Sequence, residues 1–268
     1  VMYGAIEFYK EAKNQEIKPI IGMEAYITQD RLLKQKGTQK NNHLLLLSKN
    51  LEGYKNLMKL TSIAHLEGYY YKPRIDHDTL KKYSKGLIVS SACAQGEVPQ
   101  AILNDDYQGA KKIIDWYLDL FGDDYYLEIQ RHFYDKHAQN AENEEIKQDL
   151  TNMAHNEKII NENIIKLSRE YGIPIIATND AHYIKKEDAH AQDALVCVAT
   201  GKEVSEIHRL RFVDSPSYYI TSPSEMKEMF SDIPDAVTNT VAVAKKCNLE
   251  ITLGTYFFPK IDLPEGKS

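Results

Sequence analysis

Ile173-Pro-Ile-Ile-Ala-Thr-Asn-Asp-Ala-His-Tyr183 sets a short apolar run directly against an acid and an imidazole. The run 173–178 has the length of a buried strand, and Asp180 and His182 follow it two residues apart. In an extended strand end, residues i and i+2 point the same way, so both side chains are expected to face one point. Asp and neutral His are common oxygen and nitrogen ligands of zinc and similar cations. Alone, the pair equally describes a surface turn with one polar histidine. Recurrence of the same design elsewhere in the chain is what gives it weight.

Outward from this stretch, short apolar runs alternate with longer amphipathic ones, the pattern of an α/β protein. Strands are expected at 19–27, 43–48, 86–90, 125–129 and 173–178, each apolar on both faces as in a parallel sheet covered on both sides. Helical patterns fall at about 3–16, 51–66, 107–121 and 155–171. In the last, Ile160, Ile164, Leu167 and Tyr171 line one helical face. This alternation fits a closed or partly closed β/α barrel. Residues 132–158 carry many charges and few apolar residues, and read as an insertion with a solvated, partly helical face. Its histidines His132, His137 and His155 follow no expected strand end and are not taken as ligands. Ser222-Pro-Ser-Glu225 matches a capping box with Pro at the first helical position, and a second helix is expected from Pro234 to Lys246. The expected organisation is a barrel over 1–220, a helical segment over 221–248 and a Pro-rich connector over 249–268.

The chain has 268 residues, 43% hydrophobic and 27% charged, ordinary values for a globular protein. A net charge of −6 gives no strong field toward nucleic acid or anionic membrane, which counts against a free-standing DNA-binding domain. Cys93, Cys197 and Cys247 are few, odd in number and widely spaced, so a reducing, cytoplasmic setting is expected rather than a disulfide framework. No apolar run approaches the roughly 20 residues of a membrane helix, and no signal peptide is apparent. Val1 opens directly into helical pattern, so the start is expected to be a cut.

In a β/α barrel, functional residues gather at one rim of the strands. Glu24 lies within the first run, His43 opens the second, and Cys93 follows the third on a loop. Each has a bland alternative: a buried ion pair, a hydrogen-bonded strand-edge histidine, an inert thiol. Together with Asp180 and His182 they make five ligand-type residues on four strands, more than a single four-ligand structural zinc needs. The excess points to two or three metal ions. Such sites lower the pKa of bound water and clamp phosphate oxygens, so phosphoester hydrolysis is the expected reaction class. Asp180 and His182 are the residues expected nearest that water. His65 reads as a helix-surface residue, His77 as part of a helix start, and His190 and His208 as lacking partners. Tyr69-Tyr-Tyr-Lys-Pro-Arg74 mixes aromatics and cations as nucleic-acid surfaces do, or forms a packed surface loop. Walker, Rossmann and Gly-x-Ser-x-Gly motifs are missing.

Gly4-Ala-Ile-Glu-Phe-Tyr-Lys10, Lys18-Pro-Ile-Ile-Gly-Met-Glu-Ala-Tyr26, Ala64-His-Leu-Glu-Gly68, Lys72-Pro-Arg-Ile-Asp76, Gly86-Leu-Ile-Val-Ser-Ser-Ala-Cys-Ala-Gln-Gly-Glu97 and Ala177-Thr-Asn-Asp-Ala-His-Tyr183 follow one another in order. So ordered, they resemble the PHP (polymerase and histidinol phosphatase) domain of the bacterial replicative DNA polymerase III alpha subunit, a C-family polymerase. Gly201-Lys, Arg209-Leu-Arg-Phe212 and the capped helix after Ser222 continue the likeness, which covers the chain except around 132–158. The resemblance implies a distorted seven-stranded β/α barrel with up to three divalent ions (zinc, manganese or iron) at its mouth. Its ligands would fall on Glu24, His43, Cys93, Asp180 and His182. It also implies that the family's first motifs lie upstream of Val1, so the barrel would lack its first strand or strands. The exposed edge would then make the isolated piece poorly soluble.

By the same resemblance, polymerisation with Mg²⁺ belongs to a palm domain beyond Ser268, and the parent protein binds DNA, a sliding clamp and a proofreading exonuclease. The domain itself would be a metal-dependent phosphoesterase, such as a 3′–5′ exonuclease. The competing readings are a non-catalytic, metal-braced scaffold that docks the exonuclease, and a free-standing phosphatase of the histidinol-phosphatase type.

Overall fold

Residues 2–256 are described by a computed structural model. Six strands form one sheet: β1 (Gly22–Thr28), β2 (Asn42–Ser48), β3 (Arg74–Asp76), β4 (Leu87–Ser90), β5 (Tyr125–Gln130) and β6 (Ile175–Thr178), in the spatial order β3-β1-β2-β4-β5-β6. Among the described residues β3 and β6 are its two edges and do not pair with each other. Around it lie α1 (Ala5–Asn14), α2 (Leu51–Leu66), α3 (His77–Lys82), α4 (Glu97–Leu103), α5 (Tyr107–Phe121), α6 (Tyr134–Ala138), α7 (Glu144–Tyr171), α8 (Ala189–Thr200), α9 (Pro223–Met229) and α10 (Pro234–Lys246). Alternating strands and helices around one six-stranded sheet are the α/β pattern expected of a PHP-like barrel fragment followed by helices. No described helix is long and apolar enough to cross a membrane.

The all-parallel expectation is corrected. β2 runs antiparallel to both β1 and β4, whereas β1–β3, β4–β5 and β5–β6 are parallel. β1 and β2 are joined by residues 29–41 as a wide hairpin, which forces the reversal. The expectation of two apolar faces is corrected too. On one face Met23, Ala25, Ile27, Leu44, Leu46, Val89, Leu127, Ile129 and Ala177 join Leu57, Ile114 and Ile164 from the helices in the main core. The other face is apolar only at one end, where Ile88, Tyr126 and Ile176 meet Val243 and Cys247. Toward the opposite rim it turns polar, with Glu24, His43, Ser90, Glu128, Gln130 and Thr178. Period-two alternation of side chains therefore sorts core residues from site residues on every strand.

β3 was not expected, because Arg74-Ile-Asp76 is three residues long and polar at both ends. All three are buried. The Arg74 guanidinium donates to the Gly68, Arg31 and Leu33 carbonyls at 2.9, 2.8 and 3.2 Å. Asp76 caps α3 by accepting from the Thr79 amide at 2.9 Å. Arg74 is thus held inside the fold, while Tyr69 and Tyr71 of the same stretch are exposed.

Residues 132–158 are partly helical with a largely exposed face, as expected. They form α6 and the first half of α7, whose helix starts at Glu144 with the Asn143 side-chain Oδ1 accepting from the Ile146 amide at 2.9 Å. Ala138, Ile146 and Leu150 build a small core of their own. The capping box at Ser222 and the helix over Pro234–Lys246 are present as expected. α10 packs on β6, where Asn239 donates to the Ile175 carbonyl at 2.8 Å, and Phe230 and Ala236 enter the main core. The expected connector lies mostly outside the described residues.

Close approach of backbones locks α2 onto the sheet. A Cβ on Gly53 would stand 1.9 Å from the Gly86 carbonyl oxygen, so only glycine lets the first turn of α2 rest on the loop that feeds β4.

Candidate metal centre

The register of the β1–β2 pair sets Tyr26 opposite His43 and Glu24 opposite Leu45. Glu24 and His43 are therefore diagonal neighbours on the polar face, within reach of each other. The Glu24 carboxylate contacts His43 Nδ1, and Cys93 Sγ lies 3.3 Å from that same nitrogen. One ligand atom from each of the three falls within 4.8 Å of the others.

Cys93 is delivered by a tight loop after β4. Ala92 takes a left-handed backbone at φ 59°, and the Gly96 amide closes the turn on the Cys93 carbonyl at 2.8 Å. A Cβ at Gly96 would meet the Ser91 carbonyl oxygen at 1.9 Å, so the turn requires glycine. The His43 amide donates to the Gln95 carbonyl at 3.0 Å and ties this loop to β2.

Asp180 and His182 meet, but not by the geometry expected of them. β6 ends at Thr178, and Asp180 has φ 46°, a left-handed conformation that Asp tolerates better than most residues. The chain turns there, and His182 Nε2 comes 3.6 Å from Asp180 Oδ1. Asn179 donates to the Ser217 and Tyr219 carbonyls at 2.8 Å each, and the His182 amide donates to the Tyr218 carbonyl at 2.8 Å. The turn is thus pinned to the segment before α9, and the His182 ring rests 4.7 Å from the Phe212 ring.

His43, Cys93, Asp180 and His182 line one cavity of about 510 Å³. Glu24 stands at its edge, contacting His43. Burial, with the fields of Asp180, Glu24 and Glu128, pushes the Cys93 thiol up to about 12. Burial also works against ionisation of Asp180, but the His182 bond and the charges of His182, His132 and His43 hold its carboxyl below the usual range. The bond to Asp180 raises His182 against the opposing effect of burial.

Sequence reasoning missed further polar residues of this cavity, among them Glu128, Gln130 and His132. Glu128 is buried on β5; Ser90 Oγ donates to it at 2.5 Å, Gln130 Nε2 at 3.0 Å, and Thr178 Oγ1 as well. Burial raises its carboxyl despite these bonds. His132 is two residues past the end of β5, as Asp180 is two past β6, and Glu157 from α7 holds its Nδ1 at 2.7 Å. That strand-end position was legible, so the statement that the 132–158 histidines follow no strand end is corrected. His137 instead bonds Ser217 at 3.0 Å, and His155 is an exposed residue of α7.

The remaining histidines lie outside the cavity. His65 Nδ1 bonds the Thr61 carbonyl at 2.9 Å on the helix surface. His77 opens α3 and pairs with Glu97 at 3.2 Å. His190 is exposed. His208 does have a partner, Glu145 at 3.1 Å, contrary to expectation.

The donors are two imidazoles, a thiol and two carboxylates. This mixture of borderline and hard ligands suits zinc and neighbouring transition metals, so the residues present fit such a group.

Residues 1–132 match the PHP domain family. The chain is also similar to DNA polymerase III subunit alpha of Borreliella burgdorferi, 47% identical over 98% of this chain and 21% of the relative. It is similar to the same subunit of Helicobacter pylori, 45% identical over 94% of this chain and 20% of the relative. For Thermus aquaticus the figures are 35% identity over 100% of this chain and 21% of the relative. The chain spans about a fifth of the length of these relatives. Residues 1–132 thus carry the match to the PHP domain family, within a chain similar along nearly all its length to DNA polymerase III alpha subunits.

Proposed function

We propose that the cavity beside Cys93 and Asp180 is a divalent-metal phosphoesterase centre, within the PHP region of a replicative DNA polymerase alpha subunit. The observation that carries this is the convergence of Glu24, His43 and Cys93 within 4.8 Å, on the cavity that Asp180 and His182 also line. Glu24, His43 and Cys93 would hold one ion and Asp180 with His182 another, two or three of zinc, manganese or iron in all. When bound, such ions supply a nucleophilic water at neutral pH and Lewis-acid charge for phosphate oxygens.

The chain's own residues do the rest. Asp180 orients His182 from one side and the Phe212 ring supports it from the other. Phe212, Ile160 and Leu210 give the cavity apolar walls that limit water. A phosphoester of DNA, cleaved at its 3′ end, is the substrate class favoured by relatives named as polymerase subunits; the same names disfavour a free-standing phosphatase. Polymerisation with Mg²⁺, the sliding clamp and a proofreading exonuclease belong to this reading of the whole protein, with the cytoplasm as its setting.

A bracing role has one observation in its favour: Glu24, His43 and Cys93 come from three separate backbone segments, which an ion would staple together.

The test is metal content followed by nuclease assay on the full-length protein. Purified under metal-replete conditions, it should hold two or three ions per chain, fewer after Asp180→Ala. Absence of any bound metal refutes the centre. Loss of 3′-terminal hydrolysis in the variant supports catalysis; metal binding without hydrolysis in either protein supports bracing.

A further inference from the structure

Tyr69-Tyr-Tyr-Lys72 leads into β3, and the parallel β1–β3 register sets Arg74 beside Tyr26. Tyr26 shares a face of β1 with Glu24, two residues earlier, and stands opposite His43 in the β1–β2 ladder. The Tyr26 and His43 rings meet edge to face with centroids 5.1 Å apart. From the β3 side, Lys72 Nζ lies 5.5 Å from the centre of the Tyr26 ring. One line of contacts thus runs from Lys72 through Tyr26 to His43, whose Nδ1 touches Glu24 and Cys93.

Within the stretch, inward and outward residues are sharply divided. Tyr70 is half-buried, with the Arg74 guanidinium 5.4 Å from its ring. The Tyr70 amide donates to the Lys72 carbonyl at 3.1 Å, which puts Tyr71 at the tip of a tight turn. Tyr71 takes a left-handed backbone at φ 58° and is 70% exposed. Tyr69 and Lys72 are exposed too. A bulky residue in that conformation is unfavourable, and a ring left in water returns little burial energy for it. Folding alone gives no reason for two such rings and a cation beside the cavity.

We propose that Tyr69, Tyr71 and Lys72 form a single-stranded DNA track that passes a 3′ end over Tyr26 to the cavity, with bases stacked on the tyrosines and a backbone phosphate at Lys72. The inference rests on the phosphoesterase reading above and gives that site its substrate path. Stacking on an aromatic side chain tolerates any sequence, because every base has a π-face, and cations beside such rings follow the backbone. A centre that trims strand ends needs that tolerance. A duplex hides its base faces within its own stack, so exposed rings favour a single strand. With a net charge of −6, the chain has no global field to hold DNA, so local stacking and one local cation carry the contact.

The experiment uses the full-length protein and a short oligo-dT bearing 5-iodouracil near its 3′ end. Ultraviolet crosslinking followed by peptide mapping should place the adduct on Tyr69 or Tyr71. Tyr71→Ala should lower the yield, and Tyr71→Phe should restore it. In 3′-terminal hydrolysis of the same oligonucleotide, Tyr71→Ala should weaken the interaction about 5–150-fold, with the effect falling on KM rather than on kcat or metal content. Lys72→Ala should raise KM and flatten its dependence on salt. Crosslinks confined to other segments overturn the proposal, as does an unchanged KM in Tyr71→Ala. An equal yield from the same 3′ end within a blunt duplex overturns the single-strand assignment. If the protein takes up no metal, the phosphoesterase reading fails while the crosslink still decides the tyrosines; metal uptake with crosslinks only elsewhere refutes the track alone.

Discussion

Asp193→Ala should loosen the wall behind His182 from a distance. Asp193 and Arg209 are 3% and 2% exposed and form a two-pronged pair, Nη1–Oδ1 at 2.8 Å and Nη2–Oδ2 at 2.6 Å. Asp193 Oδ1 also accepts from the Phe212 amide at 3.1 Å. Removing the acid leaves the Phe212 amide without its acceptor and the guanidinium without its counter-charge, held only by the Leu210 and Val204 carbonyls at 3.0 and 2.8 Å. Breaking a buried pair costs about 3–5 kcal/mol. This one lies in a peripheral layer beside α8, with Leu195 and Val198 exposed nearby, so the low end applies, about 3 kcal/mol. For a domain of this size about 2–4 °C is lost per kcal/mol, so Tm should fall by about 6–12 °C in calorimetry. Arg209→Met added to Asp193→Leu should recover part of the loss, because the stranded charge is gone. A change in Tm under about 1 °C for Asp193→Ala would show the pair to be water-screened and refute the reasoning.

The same pair sets an acid limit: burial raises the Asp193 carboxyl, but Arg209 lowers it further, so it ends below its ordinary range. Its stabilisation should be complete above about pH 4 and lost as pH falls through the lower folded value, a loss that chemical denaturation should find reduced in the Asp193→Asn variant. Glu128→Leu should cost about 1–3 kcal/mol by stranding Ser90, Gln130 and Thr178, while Glu128→Gln keeps partners for them and costs less; equal losses in urea unfolding would exclude the network as the cause. Gly53→Ala should destabilise by about 1–3 kcal/mol or more, with Gly86 as the clashing partner; a neutral result would mean that α2 can lift off β4 at no cost.

Strand positions and the helices at 51–66, 107–121 and 234–246 were legible because each carries a strong period over enough residues. β3 was not: three residues carry no period, and its buried Arg74 looks like a surface residue until its carbonyl partners are known. Strand direction was equally hidden, since hydropathy is the same read forward or backward. For the site, residue type and position beside an apolar run sufficed to name Glu24, His43, Cys93, Asp180 and His182, which the fold brings to one side of the sheet. Glu128 escaped because a carboxylate within a strand reads as noise unless its hydroxyl partners on neighbouring strands are visible. His132 escaped because its surroundings are dominated by charge, and its partner Glu157 is a helix away in sequence.

The reversed direction of β2 has a consequence for how this chain tolerates change. On the parallel strands β4 and β6 the ligand-type residues come after the strand, but on β2 His43 comes before most of it. The segment 29–41 therefore turns over at the working end of the sheet, and both its anchors are held by the β1–β2 ladder. Residues can be added to or removed from the middle of that segment without shifting the Tyr26–His43 register. The length of this one connection is thus uncoupled from the positions of Glu24 and His43, whose donor atoms are set by the ladder alone.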